Sequence, residues 1–468
     1  MKALPLRTAT FIAFCLAIVL AGAGSRPAAV TRAASADGQF WDIQDTSPWS
    51  QDSGGIATGG RAMPFNGFGY LKLQVRRANS TLLLKNRYLT HFGLASDGDA
   101  RFDSITPVVA GDVVVSRAVF APHDTDYLRY FDAFTNVADE ERIVEVAWGG
   151  AVGAYDEGGL AAIATTSSGD RQVDAADTFV TLMQNIRRVA DPMRGPSGHG
   201  PSAHVLGTAR GRFIRAGDMY ANPFEDAYPG FDPAHIGYVF RITVPPHQTR
   251  ALMTFVVKGL SEVYDAQTPG SVRIRDGVVP EAPAGSAANV PVPGSEIRRV
   301  TDVARTLVAS PDLRGLTPLQ RSQIVNWAET STVRLKPDTT AEKSAIGTRD
   351  AGPNSGSVRL QPDRDRGGVR LQPDRGPFTV VEKTVEQLQD AMTRGVTTSE
   401  DVVREYLTRL SRYDRNGPTL RAMLALNPRA IAEARALDAE RASGRVRGPF
   451  HGIPIAFKDN IDVLGLPT

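Results

Sequence analysis

Hydrophobic and polar positions change their spacing along the chain. Over residues 37–265 apolar residues come in short runs, cut by Gly, Asp, Asn and Pro. Residues 70–75, 113–120, 127–134, 143–148, 178–183, 238–244 and 251–257 read as strands. Turn signals such as Pro64-Phe65-Asn66-Gly67 and Val244-Pro245-Pro246 separate them. Many short strands with turn chemistry between them predict an all-β domain, an antiparallel sandwich-like fold. Residues 266–297 have no useful period and read as linker, as at Val278-Val279-Pro280-Glu281-Ala282-Pro283. A short helical segment follows over 298–328, with pieces at about 296–309 and 318–328. Val303, Leu307, Leu319, Ile324 and Trp327 give it a small apolar face.

The next stretch, 329–377, repeats a short element. Val333-Arg334-Leu335-Lys336-Pro337-Asp338 returns as Val358-Arg359-Leu360-Gln361-Pro362-Asp363 and as Val369-Arg370-Leu371-Gln372-Pro373-Asp374. The two intervals differ, so a solenoid is excluded, and the Gly, Ser, Asp and Arg between the copies predict a disordered linker. From 378 to 468 the spacing becomes helical. Thr384 with Gln387 predicts a capping box, and Val385, Leu388 and Met392 share a face up to Gly395. Thr398 with Asp401 opens a second helix, with Val402, Tyr406, Leu407 and Leu410 inward. Asn427-Pro428 opens a third, with Ile431, Ala434 and Leu437 apolar and Gly444 as its stop. Residues 452–457 read as a strand.

Composition limits the classes. Of 468 residues, 53 are Lys or Arg and 51 Asp or Glu, a net charge of +2, with 42% hydrophobic. That excludes a wholly disordered chain and lacks the basic excess of a nucleic-acid binder. The N-terminus has Lys2 and Arg7, then an apolar run over 11–21, then small residues. This is the layout of a secretory signal peptide, so residues 1–36 are expected to be leader and the protein to be exported. Ala21-Gly22-Ala23 and Ala34-Ser35-Ala36 are both candidate cleavage sites. The single cysteine, Cys15, lies in that run, after Phe14 rather than a small residue, so the mature chain has no thiol chemistry. No second apolar stretch is long enough to span a membrane after the leader is cut.

The chemistry-bearing stretch is Gly448-Pro449-Phe450-His451-Gly452-Ile453-Pro454-Ile455-Ala456-Phe457-Lys458-Asp459-Asn460-Ile461-Asp462. Read alone, it puts Lys458 where an apolar strand gives way to a polar turn. Preceded by Ala430, Ala434, Asp438 and Gly444, it resembles the start of the amidase signature family, over about residues 385–468. The fold expected there is the N-terminal part of an α/β domain. The resemblance implies hydrolysis of carboxamide C–N bonds, or acyl transfer, through a Ser–Ser–Lys triad in which Lys458 is the base. It gives no catalytic role to Asp438. Phe450 and Phe457 stand where the family commonly has Leu and Val, apolar for apolar. The implied base must be an unprotonated amine, so Lys458 is expected in surroundings that disfavour its charge. The family's Gly-Ser-rich segment with both serines follows the lysine, and the sequence stops at Thr468. The expectation is a fragment that holds one triad member and is inactive as written.

Other candidates rank lower. Ser96-Asp97-Gly98-Asp99-Ala100-Arg101-Phe102-Asp103 clusters carboxylates without EF-hand spacing, so solvated turn aspartates are expected. Asp124, Asp126 and Asp132 invite the calcium idea with less force. His199 and His204 are five apart and form no metal motif, and His451 is at least as well read as structural. Thr165-Thr166-Ser167-Ser168-Gly169 precedes the lysine and lies in the β region. Asn79-Ser80-Thr81 matches a glycosylation acceptor. Trp41, Trp49, Phe65, Phe68, Tyr70 and Tyr130 are read as core before ligand platform. No P-loop or dinucleotide motif is present, so no cofactor and no metal site are expected, and the partner is a small-molecule or peptide amide. The alternative is a secreted, non-enzymatic β-sandwich protein with a vestigial amidase tail, which predicts a stable core ending near Asp265 and a readily lost tail.

Overall fold

A computed structural model describes residues 31–37, 40–45, 52–57, 67–96, 100–152, 160–185, 200–228, 235–259, 262–264, 271–273, 295–328 and 378–459, with Ile461, Val463 and Leu466. Residues 1–30 of the expected leader and the repeat-bearing stretch 329–377 lie outside them. So do Trp49, Phe65, Asp97, Asp99 and His199. The chain divides into two compact units, Met1–Ala328 with Thr379–Thr468, and Glu329–Phe378. All the strands and helices below belong to the first.

The strands in chain order are Thr31–Ala34 (β1), Phe40–Ile43 (β2), Tyr70–Arg77 (β3), Leu82–Leu89 (β4), Leu94–Ser96 (β5), Arg101–Ser104 (β6), Val108–Ala110 (β7), Val113–Phe120 (β8) and Tyr127–Asn136 (β9). They continue with Arg142–Ala151 (β10), Leu160–Thr166 (β11), Phe179–Asn185 (β12), Ser202–Val205 (β13), Phe213–Asp218 (β14), His235–Val244 (β15), Thr249–Lys258 (β16), Glu262–Tyr264 (β17) and Ser271–Arg273 (β18). Two large sheets result. One has five strands in the order β14-β15-β10-β3-β4. The other has nine, in the order β11-β12-β13-β16-β9-β8-β6-β5, with β7 beside β8. All their pairings are antiparallel.

Alternation explains how the sheets meet. Leu71, Leu73 and Val75 on β3, Val144, Val146 and Trp148 on β10, and Tyr238, Phe240 and Ile242 on β15 share one core. Val113 and Val115 on β8, Leu128, Tyr130 and Phe134 on β9, and Leu252 and Val256 on β16 complete it. The even–odd pattern decides which face of each strand is buried. β16 is apolar on both faces, and the second face has its own cover. Ala251, Met253, Phe255 and Val257 pack with Val300, Ala304, Leu307 and Leu316. These last residues belong to helix Ser295–Ala309 (α1) and the segment leading to helix Pro318–Gln323 (α2). The apolar run Ala251-Leu252-Met253 is therefore a strand buried on both sides.

Several boundaries differ from the sequence expectation. Strand β1 lies inside the stretch read as leader, and β18 inside the stretch read as linker. The helix expected over 318–328 stops at Gln323. Beyond it Ile324 forms a parallel bridge with Ala251. The Asn326 side chain explains the stop: it donates to Leu206 and Met253 carbonyls, both at 2.8 Å, and accepts from the Met253 N–H at 2.9 Å. An amide that satisfies exposed ladder groups replaces further helix.

The C-terminal helices are Val385–Thr393 (α3), Ser399–Arg409 (α4) and Ala430–Ala442 (α5), with a π-helical turn at Leu410–Arg415 after α4. Thr384 and Gln387 form the expected capping box, and Thr398 caps α4 through the Asp401 N–H. The third helix starts later than Asn427-Pro428 suggests, although the Asn427 side chain accepts from Arg429 N–H at 2.9 Å. Val403, Leu407, Ile431 and Ala434 make a small core, against which Ile105 of the β region packs. A charge cluster lies beside it. Both oxygens of the buried Asp103 carboxylate meet guanidiniums, Arg404 at 2.5 Å and Arg435 at 2.5 Å. Glu400 binds the same two arginines at 2.8 and 2.9 Å. Burial opposes the Asp103 charge, but Arg404, Arg435 and Arg101 together hold its carboxyl well below the usual range. The expectation of a solvated turn aspartate is corrected at Asp103, which is buried in β6 with its oxygens facing arginines and so is not free for calcium either.

Candidate active site

The lysine-bearing segment begins in a turn locked from three sides. Gly444 ends α5 at φ +79, the left-handed conformation that glycine adopts without a Cβ penalty. His451 is buried, and its ring is used up locally. Nδ1 accepts from the Arg447 N–H at 3.3 Å, which leaves Nε2 to donate to the Leu437 carbonyl at 2.9 Å. The structural reading of His451 is the one the geometry supports. Gln389 of α3 donates to the Pro449 and His451 carbonyls at 2.8 and 2.9 Å. Arg441 of α5 donates to the same His451 carbonyl at 3.1 Å and to Gln389 Oε1 at 2.7 Å. Gly452 then has φ +78, and a Cβ there would run into Ser399 Oγ. This glycine is required twice, for its backbone angle and for its closeness to α4.

Asp438 has a role that its position in the sequence does not reveal. Its carboxylate accepts from the Ser399 N–H at 2.7 Å and the Glu400 N–H at 3.0 Å. These are donors without an intrahelical acceptor at the start of α4, where a negative charge is favoured by the helix dipole. Asp438 is thus a helix cap supplied from a neighbouring helix. Sequence reasoning does not single out Gln389, Arg441 or Ser399, because contacts between helices leave no local spacing signal.

Lys458 lies outside this locked turn. Residues 453–458 join no strand ladder, and the expected strand over 452–457 is absent. Among the described residues of 378–468 the regular elements are helices, with no strand. A strand needs a neighbour for its N–H and C=O groups, and Pro454 removes one donor. Ile455 and Phe457 are more than half exposed, and Lys458 is exposed too. The described residues do not give the lysine the buried surroundings that a neutral amine needs. Elsewhere, the sequence candidates have structural partners: Asp132 pairs with Arg117, Asp126 with Arg299, and Asp124 with Arg314. His204 is fully buried, stacked on Phe68, and its Nδ1 is 2.8 Å from the Tyr238 hydroxyl. Burial pushes its pKa down to about 3. Trp41, Phe68 and Tyr130 are core, whereas Tyr70 is only partly buried. No group of residues suited to hold a metal ion occurs among the described residues.

Comparison with known proteins gives this C-terminal segment a class. Residues 401–468 match the family model for amidases. It is 45% identical over 83 residues to a putative amidase of Schizosaccharomyces pombe, covering 18% of this chain and 14% of that protein. It is 35% identical over 100 residues to a putative amidase of Arthroderma benhamiae, covering 18% of this chain and 17% of that protein. Among solved structures it is similar to native peptide amidase from Stenotrophomonas maltophilia, at 47% identity and TM-score 0.19, over 19% of this chain and 18% of that chain. The chain thus spans about a sixth of the length of the curated relatives it matches.

Proposed function

We propose that the chain belongs to an exported hydrolase of carboxamide C–N bonds, with an N-terminal β-sandwich module and Lys458 as the base of a Ser–Ser–Lys triad. The observation that carries the reading is the ordered series Asp438, Gly444, Gly448-Pro449 and Lys458-Asp459-Asn460 inside a segment that matches the amidase family. In this chemistry the neutral lysine amine takes a proton through a bridging serine. The nucleophilic serine then attacks the amide carbonyl, the C–N bond breaks with the proton delivered to the leaving amine, and water hydrolyses the acyl-enzyme. The resemblance puts both serines on a Gly-Ser-rich loop that follows the lysine. That loop would also supply the cover that Lys458 lacks here. The locked turn at 448–452 fixes where the lysine segment leaves the helices.

The test uses the protein translated from the whole reading frame, read through and beyond codon 468, with a panel of small and peptide carboxamides. Lys458→Ala should lower turnover by about 10²–10⁴-fold with an unchanged melting temperature. Lys458→Arg keeps the charge but cannot give up its proton, and should be as inactive. Wild-type rates in either variant would sink the reading. The non-enzymatic alternative expects the tail to be lost readily. The Asp103–Arg404–Arg435–Glu400 cluster and the packing of Ile105 against α4 and α5 weigh against it.

A further inference from the structure

Two places in the N-terminal stretch have the small-x-small pattern that a signal peptidase reads, Ala21-Gly22-Ala23 and Ala34-Ser35-Ala36. The sequence alone does not choose between them, and the fold does. Strand β1 pairs with β2 in full register, from Thr31↔Ile43 to Ala34↔Phe40. Ala33 is buried, and its partner Trp41 is fully buried in the main core. Arg32 makes a two-pronged contact with Asp42, at 2.9 and 3.3 Å, and lies 3.6 Å over the Phe40 ring. The Asp42 side chain is only 5% exposed. Cutting after Ala36 would keep two links, the Asp37 N–H to Asp126 at 2.8 Å and Asp37 to Lys258 at 3.4 Å. It would remove all of β1. A nearly buried carboxylate would lose its cation, and the edge of β2 beside Trp41 would lose its ladder partner.

Resting on the export reading, we infer that the leader is cut at Ala23–Gly24, and that β1 is a working strand of the mature domain. Residues Gly24 to Val30 then stand between the new N-terminus and the first strand in the sequence.

The experiment is N-terminal sequencing and intact mass of the full chain, expressed with its own leader and recovered after export. A terminus at Gly24 is the expected result. A terminus at Asp37 overturns the inference while export stands. An uncut Met1 terminus overturns the export reading itself. Ala23→Leu should accumulate uncut precursor and Ala36→Leu should process normally; the reverse pattern overturns the assignment. The strand's role is tested without export, by comparing chains made to start at Gly24 and at Asp37. The shorter one should melt lower by about 5 °C or more. Equal melting temperatures would show that β1 contributes nothing and would remove the argument for the upstream site.

Discussion

Asp438, Asp401 and Gly452 show three ways in which a single residue fixes the C-terminal segment. Asp438 acts across space as a cap on α4, so Asp438→Ala should cost about 1 kcal/mol in urea unfolding, and Asp438→Asn less. Asp401 is buried at the same helix start, where it accepts from the Thr317 and Thr398 hydroxyls at 2.8 and 2.9 Å. Burial raises its pKa to about 6, against 3.8 for the ordinary side chain. The folded state therefore holds a proton that the unfolded chain releases, and stability from this group is full below pH 4 and lost as pH rises through about 6. The size is on the order of 2–3 kcal/mol. Melting temperature across pH 4–7 should fall more steeply in the wild type than in Asp401→Asn; parallel curves would refute this. Gly452→Ala should destabilise by about 1–3 kcal/mol through strain and the clash with Ser399.

At the level of elements, legibility follows periodicity. Strands β3, β8, β9, β10, β12, β15 and β16 are readable because their apolar runs are long and bounded by turn residues. β13 is not: it is four residues long, and its buried His204 gives no apolar signal. β4 is not either, because most of its residues are exposed or half-buried. The caps of α3 and α4 are legible to the residue, since a capping box is a local pattern. The lysine stretch is legible as a motif but not as an element, because alternation at 453–457 predicts a strand only where a neighbour exists. The link that binds α4 and α5 to β6 is not legible at all, because Asp103 lies some three hundred residues from Arg404 and Arg435. Removing one member leaves like charges facing each other in a buried place. Asp103→Ala should cost about 3–5 kcal/mol, read as earlier release of α3–α5 in denaturant.

Taken whole, the described part of the molecule has the C-terminal helices built onto the β region. Proteolysis within 329–377 should therefore give two pieces, one ending near Ala328 and one starting near Thr379, that elute together. Separation under native conditions would contradict the packing of Ile105 and Asp103 against the helices. The stable β piece should run to about Ala328 and not stop near Asp265, because α1 and the Asn326 segment cover the outer face of β16.

The place of β16 has a consequence in time. It is the last strand in sequence of the larger sheet, yet it lies between β13 and β9 in the interior of that sheet. A chain emerging N-terminus first, from a ribosome or through a translocation channel, cannot close the larger sheet until residue 258 is out. It cannot cover the outer face of that sheet until Trp327 has followed. Such long-range closure is slow. Until then the half-built sheet shows open edges and apolar side chains, so the nascent protein depends on being held apart from its copies during that interval.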